Sequence, residues 1–258
     1  MYYDMTVRKI RKLSTNSVLL PSWPLQSQIG AVSSTRLGGY SSAPFDELNL
    51  AYHVGDKEQD VAKNRTVLSA YLPAEALWIE QVHGNQVHVL NKDTDTSTLV
   101  RADAMYTNLR RRPLAIMTAD CLPILLATKQ GDEVAAIHGG WRPLAGNIIA
   151  NTLRHFSASS TEVMAWLGPA IGATAFEVGA EVRQAFIEQG EAYRQAFSPT
   201  ASNKYMADIF LIAKLQLHAL GVTSVHGGNL CTVSHPELFF SYRRDGQCGR
   251  MATVIWRK

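Results

Sequence analysis

"RPLAIMTADCLPILLATKQGDEVAAIHGGW", residues 112–141, packs three apolar runs into one short span of chain. The runs "LAIM" and "LPILLA" lack the polar alternation of a half-exposed strand, and each is too short for an independent helix. They read as strands buried on both faces, with a third strand, "VAAIH", after the turn at Gly131-Asp132. The first two are broken at Asp120-Cys121-Leu122-Pro123, and the third ends on His138. A carboxylate, a thiol and an imidazole therefore stand where neighbouring strands stop. Either they are incidental core residues or they meet at a reactive centre.

Working outward, "IGAVSSTRLGGYSS" reads as a strand running into a Gly-rich turn, and "DKEQDVAKNRTVLSAYL" as a helix with Asp56 as its N-cap. On that helix Val61, Arg65, Leu68 and Leu72 fall on one face. Arg65 thus sits in an apolar stripe, where it either snorkels outward along its stem or aims at a partner or an anion. "ALWIEQVHGNQVHVL" has strand composition with a turn at Gly84-Asn85, and "PLAGNIIANTLRHFSA" reads as a helix. "VMAWLGPAIGATAFEVG" is a strand, a Gly/Pro-rich loop and a short extended piece. "GAEVRQAFIEQG" and "ADIFLIAKLQLHALG" are helical, the second with Ile209, Ile212, Ala213, Leu217 and Leu220 inward. The tail "HPELFFSYRRDGQCGRMATVIW" suggests two more strands. Without a strict strand–helix alternation, these elements favour an α+β fold over a doubly wound sheet: a single layered domain over 1–258, with a mixed β-sheet flanked by helices.

Composition narrows the class. With 258 residues, an ordinary apolar fraction and no repeat or linker, the chain can bury a sizeable core. A formal charge of +3, with only short basic clusters at 110–112 and 243–244, does not imply a nucleic-acid partner; the clusters read as solvated surface. No stretch approaches the ~20 apolar residues of a spanning helix. The amino-terminal apolar run is too short for a signal peptide, so a cytoplasmic protein is expected. Three cysteines without a CxxC pair are free thiols, metal ligands or nucleophiles.

His83, Cys121 and His138 each adjoin a turn or strand break. One thiolate with two imidazoles suits a catalytic zinc, which leaves its fourth position to water or substrate. The same atoms suit a Cys–His hydrolase with Cys121 as nucleophile, His138 as base and Asp120 or an amide as orienter. A buried thiol beside two hydrogen-bonded histidines is the inert alternative. His88, five residues from His83, falls on the opposite strand face and is left aside. "HGGWRPLAGN" places a glycine turn before a helix start, with Arg142 beside it, as a seat for phosphate or carboxylate; Arg36 before Gly38-Gly39 offers a second anion contact. His235-Pro236-Glu237 mimics half of a nucleobase deaminase signature, but no P-C-x-x-C follows. None of the eight histidines forms the H-x-H or H-C-H pair of a multicopper oxidase.

The ordered segments "STRLGGYSSAPFDELNLAYHVGDKEQDVAKNR", "QVHGNQV", "ADAMYT", "TADCLPILLA", "AAIHGGWRPLAG", "LGPAIGATAFEVG" and "FFSYRRDGQCGRMATVIW" together resemble the family called multicopper polyphenol oxidase (laccase-like) or peptidoglycan editing factor, from about Val32 to Trp256. Its members include zinc-dependent purine nucleoside phosphorylases. The resemblance implies a fold akin to the catalytic domain of cytotoxic necrotizing factors, with zinc held by His83, Cys121 and His138. It implies phosphorolysis of adenosine, inosine, guanosine and methylthioadenosine to base and sugar 1-phosphate, with adenosine deamination alongside. Some members are tied to peptidoglycan editing, and copper survives as a second metal through the family label. On this reading the catalytic set is His83, Cys121, His138 and Asp120, the last as proton shuttle or loop-ordering group. Arg36, Arg65 and Arg142 place phosphate, with Asn49 and Gln81 as further polar contacts. One departure stands out: the family usually reads H-A-G-W-R-G, whereas here Pro143 removes an N–H from the expected anion seat.

Overall fold

The computed structural model describes residues 17–25 and 27–258. The basic stretch 1–16, part of the amino terminus read above for a signal peptide, lies outside the described residues. Among them no helix is long and apolar enough to cross a membrane.

The three runs of the opening stretch are β5 (Leu114–Thr118), β6 (Leu122–Thr128) and β7 (Val134–Gly139). Every residue of all three is buried. The reason is a stack of layers. β6 and β7 form the middle of a six-stranded mixed sheet, order β12-β8-β6-β7-β4-β3, with β3 (Val87–Leu90), β4 (Ala104–Thr107), β8 (Val163–Leu167) and β12 (Ser224–Gly227). Its two outer pairs, β12 with β8 and β3 with β4, are parallel, and its inner pairs are antiparallel. β5 belongs to a second, four-stranded antiparallel sheet, order β1-β2-β13-β5, with β1 (Val18–Leu19), β2 (Ile29–Ser34) and β13 (Met251–Arg257).

Side-chain alternation sorts the layers. Leu125, Ala127, Val134 and Ala136 turn toward Leu114, Ile116 and Ile255 of the other sheet. Leu122, Ile124, Leu126, Ala135 and Ile137 turn the other way, onto Ile148, Ile149, Val182, Ile209 and Ile212 of the covering helices. These helices are α2 (Trp141–Ala145), α3 (Ile148–Leu153), α4 (Ala180–Ile187) and α5 (Ile209–Ala219). On the far side of the four-stranded sheet, Leu68 of α1 (Glu58–Ser69) packs with Ala115, Ala252 and Val254. A small sheet, order β10-β11-β9, made by β9 (Glu177–Gly179), β10 (Phe197–Pro199) and β11 (Lys204–Ala207), extends beside α4. The α+β class and the mixed sheet flanked by helices agree with the sequence reading.

Local differences have local causes. Asp56 does not cap α1; Lys57 holds that position, and the Asp56 carboxylate accepts from Ser41 Oγ and Asn49 Nδ2 instead. The helix expected over 143–158 is two helices, broken where Asn147 takes φ 61° after Gly146, a conformation Asn tolerates better than most residues. The Gly146 carbonyl there accepts from Asn85 Nδ2 at 2.8 Å. The tail gives one strand, β13, and a one-turn helix, α6 (Tyr242–Asp245), whose Ser241 caps it by accepting from Arg244 N.

Leu125 lies fully buried between the two sheets, so Leu125→Ala is expected to cost about 2–5 kcal/mol. A urea midpoint unchanged from the parent protein would contradict this layer assignment.

Candidate metal centre and its cleft

Three segments far apart in sequence converge at one end of the six-stranded sheet. His138 closes β7, Cys121 stands immediately before β6, and His83 sits in the loop before β3. One nitrogen of each imidazole and the Cys121 sulfur lie within 4.8 Å of one another. Cys121 Sγ is 3.8 Å from His83 Nε2, close to the ~3.6 Å that separates nitrogen and sulfur ligands across a tetrahedral zinc. The two imidazoles meet edge to face with centroids 4.7 Å apart. The donor set and its spacing fit a metal ion.

Asp103 holds this arrangement together. Fully buried, it accepts from His138 Nδ1 at 2.7 Å and from the backbone N–H groups of His83 (3.0 Å), Gly84 (2.6 Å) and Val82 (3.3 Å). One carboxylate therefore fixes the His138 ring, leaves its Nε2 for a metal, and gathers the loop that presents His83, itself at φ 58°. Burial pushes the Asp103 pKa up, but its hydrogen bonds to His138 and the loop amides prevail and hold it below the usual carboxylate value. Sequence reasoning passed over Asp103; the available signal was a lone acid in the apolar stretch "ADAMYT".

The sulfur and the buried imidazole each favour the charged form of the other. Burial opposes ionisation of Cys121, but the charge of His138 and hydrogen bonds from both histidines outweigh it and bring the thiol pKa down to about 6. Burial likewise disfavours charge on His138, yet the Cys121 thiolate and the Asp103 hydrogen bond raise its pKa to about 9. Two glycines leave room for this closeness. A Cβ at Gly139 would lie 2.7 Å from the Leu122 carbonyl, and one at Gly140 would lie 3.1 Å from Cys121 Sγ and 3.3 Å from a His83 ring carbon.

His83 and Cys121 open on a cleft of about 470 Å³ walled by Trp141, Arg142, Phe176, Val178, Tyr242 and Arg243 among others. That size falls in the ~300–1,000 Å³ range of small-molecule sites. Arg142 lies over the Trp141 ring at 4.4 Å. α2 is only one turn long and carries Pro143 within it, so the cationic character here comes from the Arg142 guanidinium more than from helix N–H groups.

Asp120 takes φ 90°, the distortion needed to let it and Cys121 leave a regular strand. Its carboxylate accepts from Thr232 Oγ1 (2.5 Å), Ser241 Oγ (3.0 Å) and Arg243 N (2.7 Å). These bonds fasten Asp120 to Thr232 and to the carboxy-terminal tail at Ser241 and Arg243.

Three expected substrate contacts are engaged elsewhere. Arg36 pairs with Asp46 at 3.1 Å, donates to the carbonyls of Asp46 and Pro236 and covers Phe240. Asn49 is fully buried and bonded to Ala51, Asp56 and Arg250 N. Gln81 pairs with both backbone groups of Met117. None of the three lines the cleft, because each spends its polar atoms holding a loop. Arg65 neither snorkels nor reaches the cleft; its guanidinium is stacked on Trp78 and Tyr52. The pair at 243–244 is exposed at Arg243 and half-buried at Arg244, and both guanidinium groups are held by carbonyls. Arg243 lines the cleft, donating to the carbonyls of Ala175 and Glu177, and Arg244 donates to the carbonyls of Thr232, Val233 and Phe239.

Asp103→Asn should weaken metal binding by ~10–100-fold, since the amide cannot replace the carboxylate as acceptor for both the ring and the loop. Competition against a chromophoric chelator measures this, and parent-like affinity would remove Asp103 from its organising role.

Comparison with known proteins gives the family and the fold. Residues 30–258 match the family described as multi-copper polyphenol oxidoreductase laccase. A purine nucleoside phosphorylase YfiH of Shigella flexneri is 46% identical over 93% of this chain and 99% of its own. A purine nucleoside phosphorylase of Pseudomonas aeruginosa is 44% identical over 93% of this chain and 98% of its own. Among solved structures, a Neisseria meningitidis protein superposes with a TM-score of 0.89 at 40% identity, covering 94% of this chain and 99% of that one. With a matched region spanning nearly all of the sequence and a shared fold, the chain belongs to the multi-copper polyphenol oxidoreductase laccase family.

Proposed function

We propose that the chain is a zinc-dependent purine nucleoside phosphorylase, converting adenosine, inosine, guanosine and methylthioadenosine to base and sugar 1-phosphate, with adenosine deamination at the same centre. The observation that carries this reading is the His83, Cys121 and His138 group opening on an aromatic, arginine-bearing cleft. The names of relatives 40–46% identical to it point the same way. Zinc suits one thiolate and two imidazoles, and when bound would supply Lewis acidity and acidify a water. Copper is the lesser candidate: among the described residues one three-ligand group is found, where a multicopper enzyme needs several. Three free cysteines suit a reducing, cytosolic setting.

The chain's own residues account for binding. Trp141, Phe176 and Tyr242 offer flat apolar faces on which a purine stacks. Arg142 and Arg243 face the same space and donate to ribose or to charge that develops as the glycosidic bond breaks. Asp103 keeps His138 oriented throughout.

Cys121→Ala or His138→Ala is expected to lose both bound zinc and phosphate-dependent inosine cleavage while the fold remains, as read by metal analysis, product assay and circular dichroism. Retention of phosphate-dependent turnover by metal-free protein would overturn the zinc reading.

One arrangement favours a second reading, a thiol hydrolase or amidase acting on peptidoglycan precursors. Cys121, His138 and Asp103 are linked in the order nucleophile, base and orienter, with the Cys121 pKa depressed. In metal-free protein, iodoacetamide should modify Cys121 with a half-maximal rate near pH 6, because the thiolate is the reacting form. His138→Ala should move that midpoint to higher pH. A parent midpoint above pH 8 would remove the ion pair on which the hydrolase depends.

A further inference from the structure

The basic cluster at 110–112 divides into two engaged arginines and one that is not. Arg110 donates to the Lys258 carbonyl and Arg111 to that of Pro73. Arg112 has no hydrogen-bond or ion-pair partner among the described residues. It lines a second cavity, of about 420 Å³, which shares no lining residue with the metal cleft.

Strand alternation builds the floor of this cavity. His88 on β3 stands opposite Met105 on β4, and Leu90 follows two residues on, so the three fall on one face of the sheet. Leu90 and Met105 are buried, and half-buried Trp78 and the segment 95–100 supply the walls. That segment is folded by the Asp95 carboxylate, which accepts from Ser97 N at 2.8 Å. It is tied down where Glu80 N donates to the Val100 carbonyl at 2.9 Å, and Leu99 is left 62% exposed on it.

Other polar groups of the lining also lack partners. Half-buried His88 has no hydrogen bond at either ring nitrogen among the described residues. Burial lowers its pKa, so at neutral pH the ring is neutral and offers one donor and one acceptor. Glu75 has no hydrogen bond or ion pair and acts on Arg65 only at longer range. By contrast, neighbouring Glu80 and Arg101 pair with each other at 3.6 Å.

The cavity thus has an apolar floor, and a rim carrying Glu75, Asp95 and Arg112, which do not pair with one another. Opposite charges left unpaired around one space match a molecule that carries both. A guanidinium takes a carboxylate in bidentate fashion, and carboxylates take an ammonium. The floor takes an apolar side chain, the arrangement general to small-molecule sites. A phosphate would meet the acids Glu75 and Asp95, and a hydrocarbon would leave the rim charges unmet.

We propose that this cavity binds a free α-amino acid with an apolar side chain, its carboxylate on Arg112, its ammonium on Glu75 and Asp95, and its side chain over Leu90 and Met105. The site is independent of the metal centre and of the reaction assigned to it.

Isothermal titration calorimetry of the full chain with L-leucine and L-phenylalanine tests this. Isoamylamine, without a carboxylate, and 4-methylpentanoate, without an ammonium, serve as one-charge probes. At least one amino acid should bind, and both one-charge probes should bind about tenfold or more weaker than L-leucine or L-phenylalanine, the loss expected for a charge-assisted contact. Arg112→Gln should weaken the amino acid by a similar factor, as should Glu75→Gln combined with Asp95→Asn, in which the Asn side chain keeps the acceptor for Ser97 N. All three positions are exposed, so the fold is retained, and circular dichroism verifies it. Cys121→Ala should bind the amino acid as the parent does. Failure of both amino acids to bind, equal binding by a one-charge probe, affinity indifferent to Arg112 and to the two acids, or affinity lost in Cys121→Ala overturns the site.

Discussion

The Asp103 carboxylate is the constraint on which the reactive end of this protein depends. His138 is delivered by a rigid central strand, but His83 comes from a loop with no regular structure of its own. A loop histidine carries no intrinsic reason to sit within reach of a particular sulfur. Three N–H bonds and one imidazole bond, all ending on the same two oxygens, supply that reason. Because Asp103 is fully buried, these bonds form where water does not compete, and leaving any donor unmet would be costly.

The layers explain why the centre lies at a sheet end. β6 and β7 are covered by helices on one face and by the second sheet on the other, so neither face is free to host a ligand. Chemistry is displaced to where the strands stop, and there the backbone departs from regular geometry. Asp120 takes a left-handed conformation just before β6, and paired glycines follow His138 on β7. The Asp120 bonds to Thr232, Ser241 and Arg243 then fasten the carboxy-terminal tail over the same spot.

Much of this was legible in the sequence. Unbroken apolar runs identified the doubly buried strands, because only burial on both faces removes the need for alternation. Positions at strand ends singled out His83, Cys121 and His138 as candidates with several readings open, and it was the family resemblance that implied a metal set; the structure brings the three together. Long-range partnerships were not legible. Nothing local marks Arg36 as bound to Asp46 and Pro236, or Gln81 as bound to Met117, since those partners are set by how loops cross. Asp103 was missed for the converse reason: its four donors come from two segments, and it looks like a misplaced acid until they are assembled. The tail was misread because "FFSYRR" has strand composition, while Ser241 caps a helical turn there.

The glycine pair after His138 divides labour within the site. With no side chain at residue 140, bare main chain lies beside the sulfur and the His83 ring, and any Cβ added there would press on both. The opposite wall, from Phe176 through Val178 to Val182, is side chain mounted on the small sheet and α4, apart from the ligand-bearing strands. New preferences in what the cleft accepts can accumulate on that wall while the half that carries His83, Cys121 and His138 stays as it is, so adaptation has one constrained partner and one editable partner to work with.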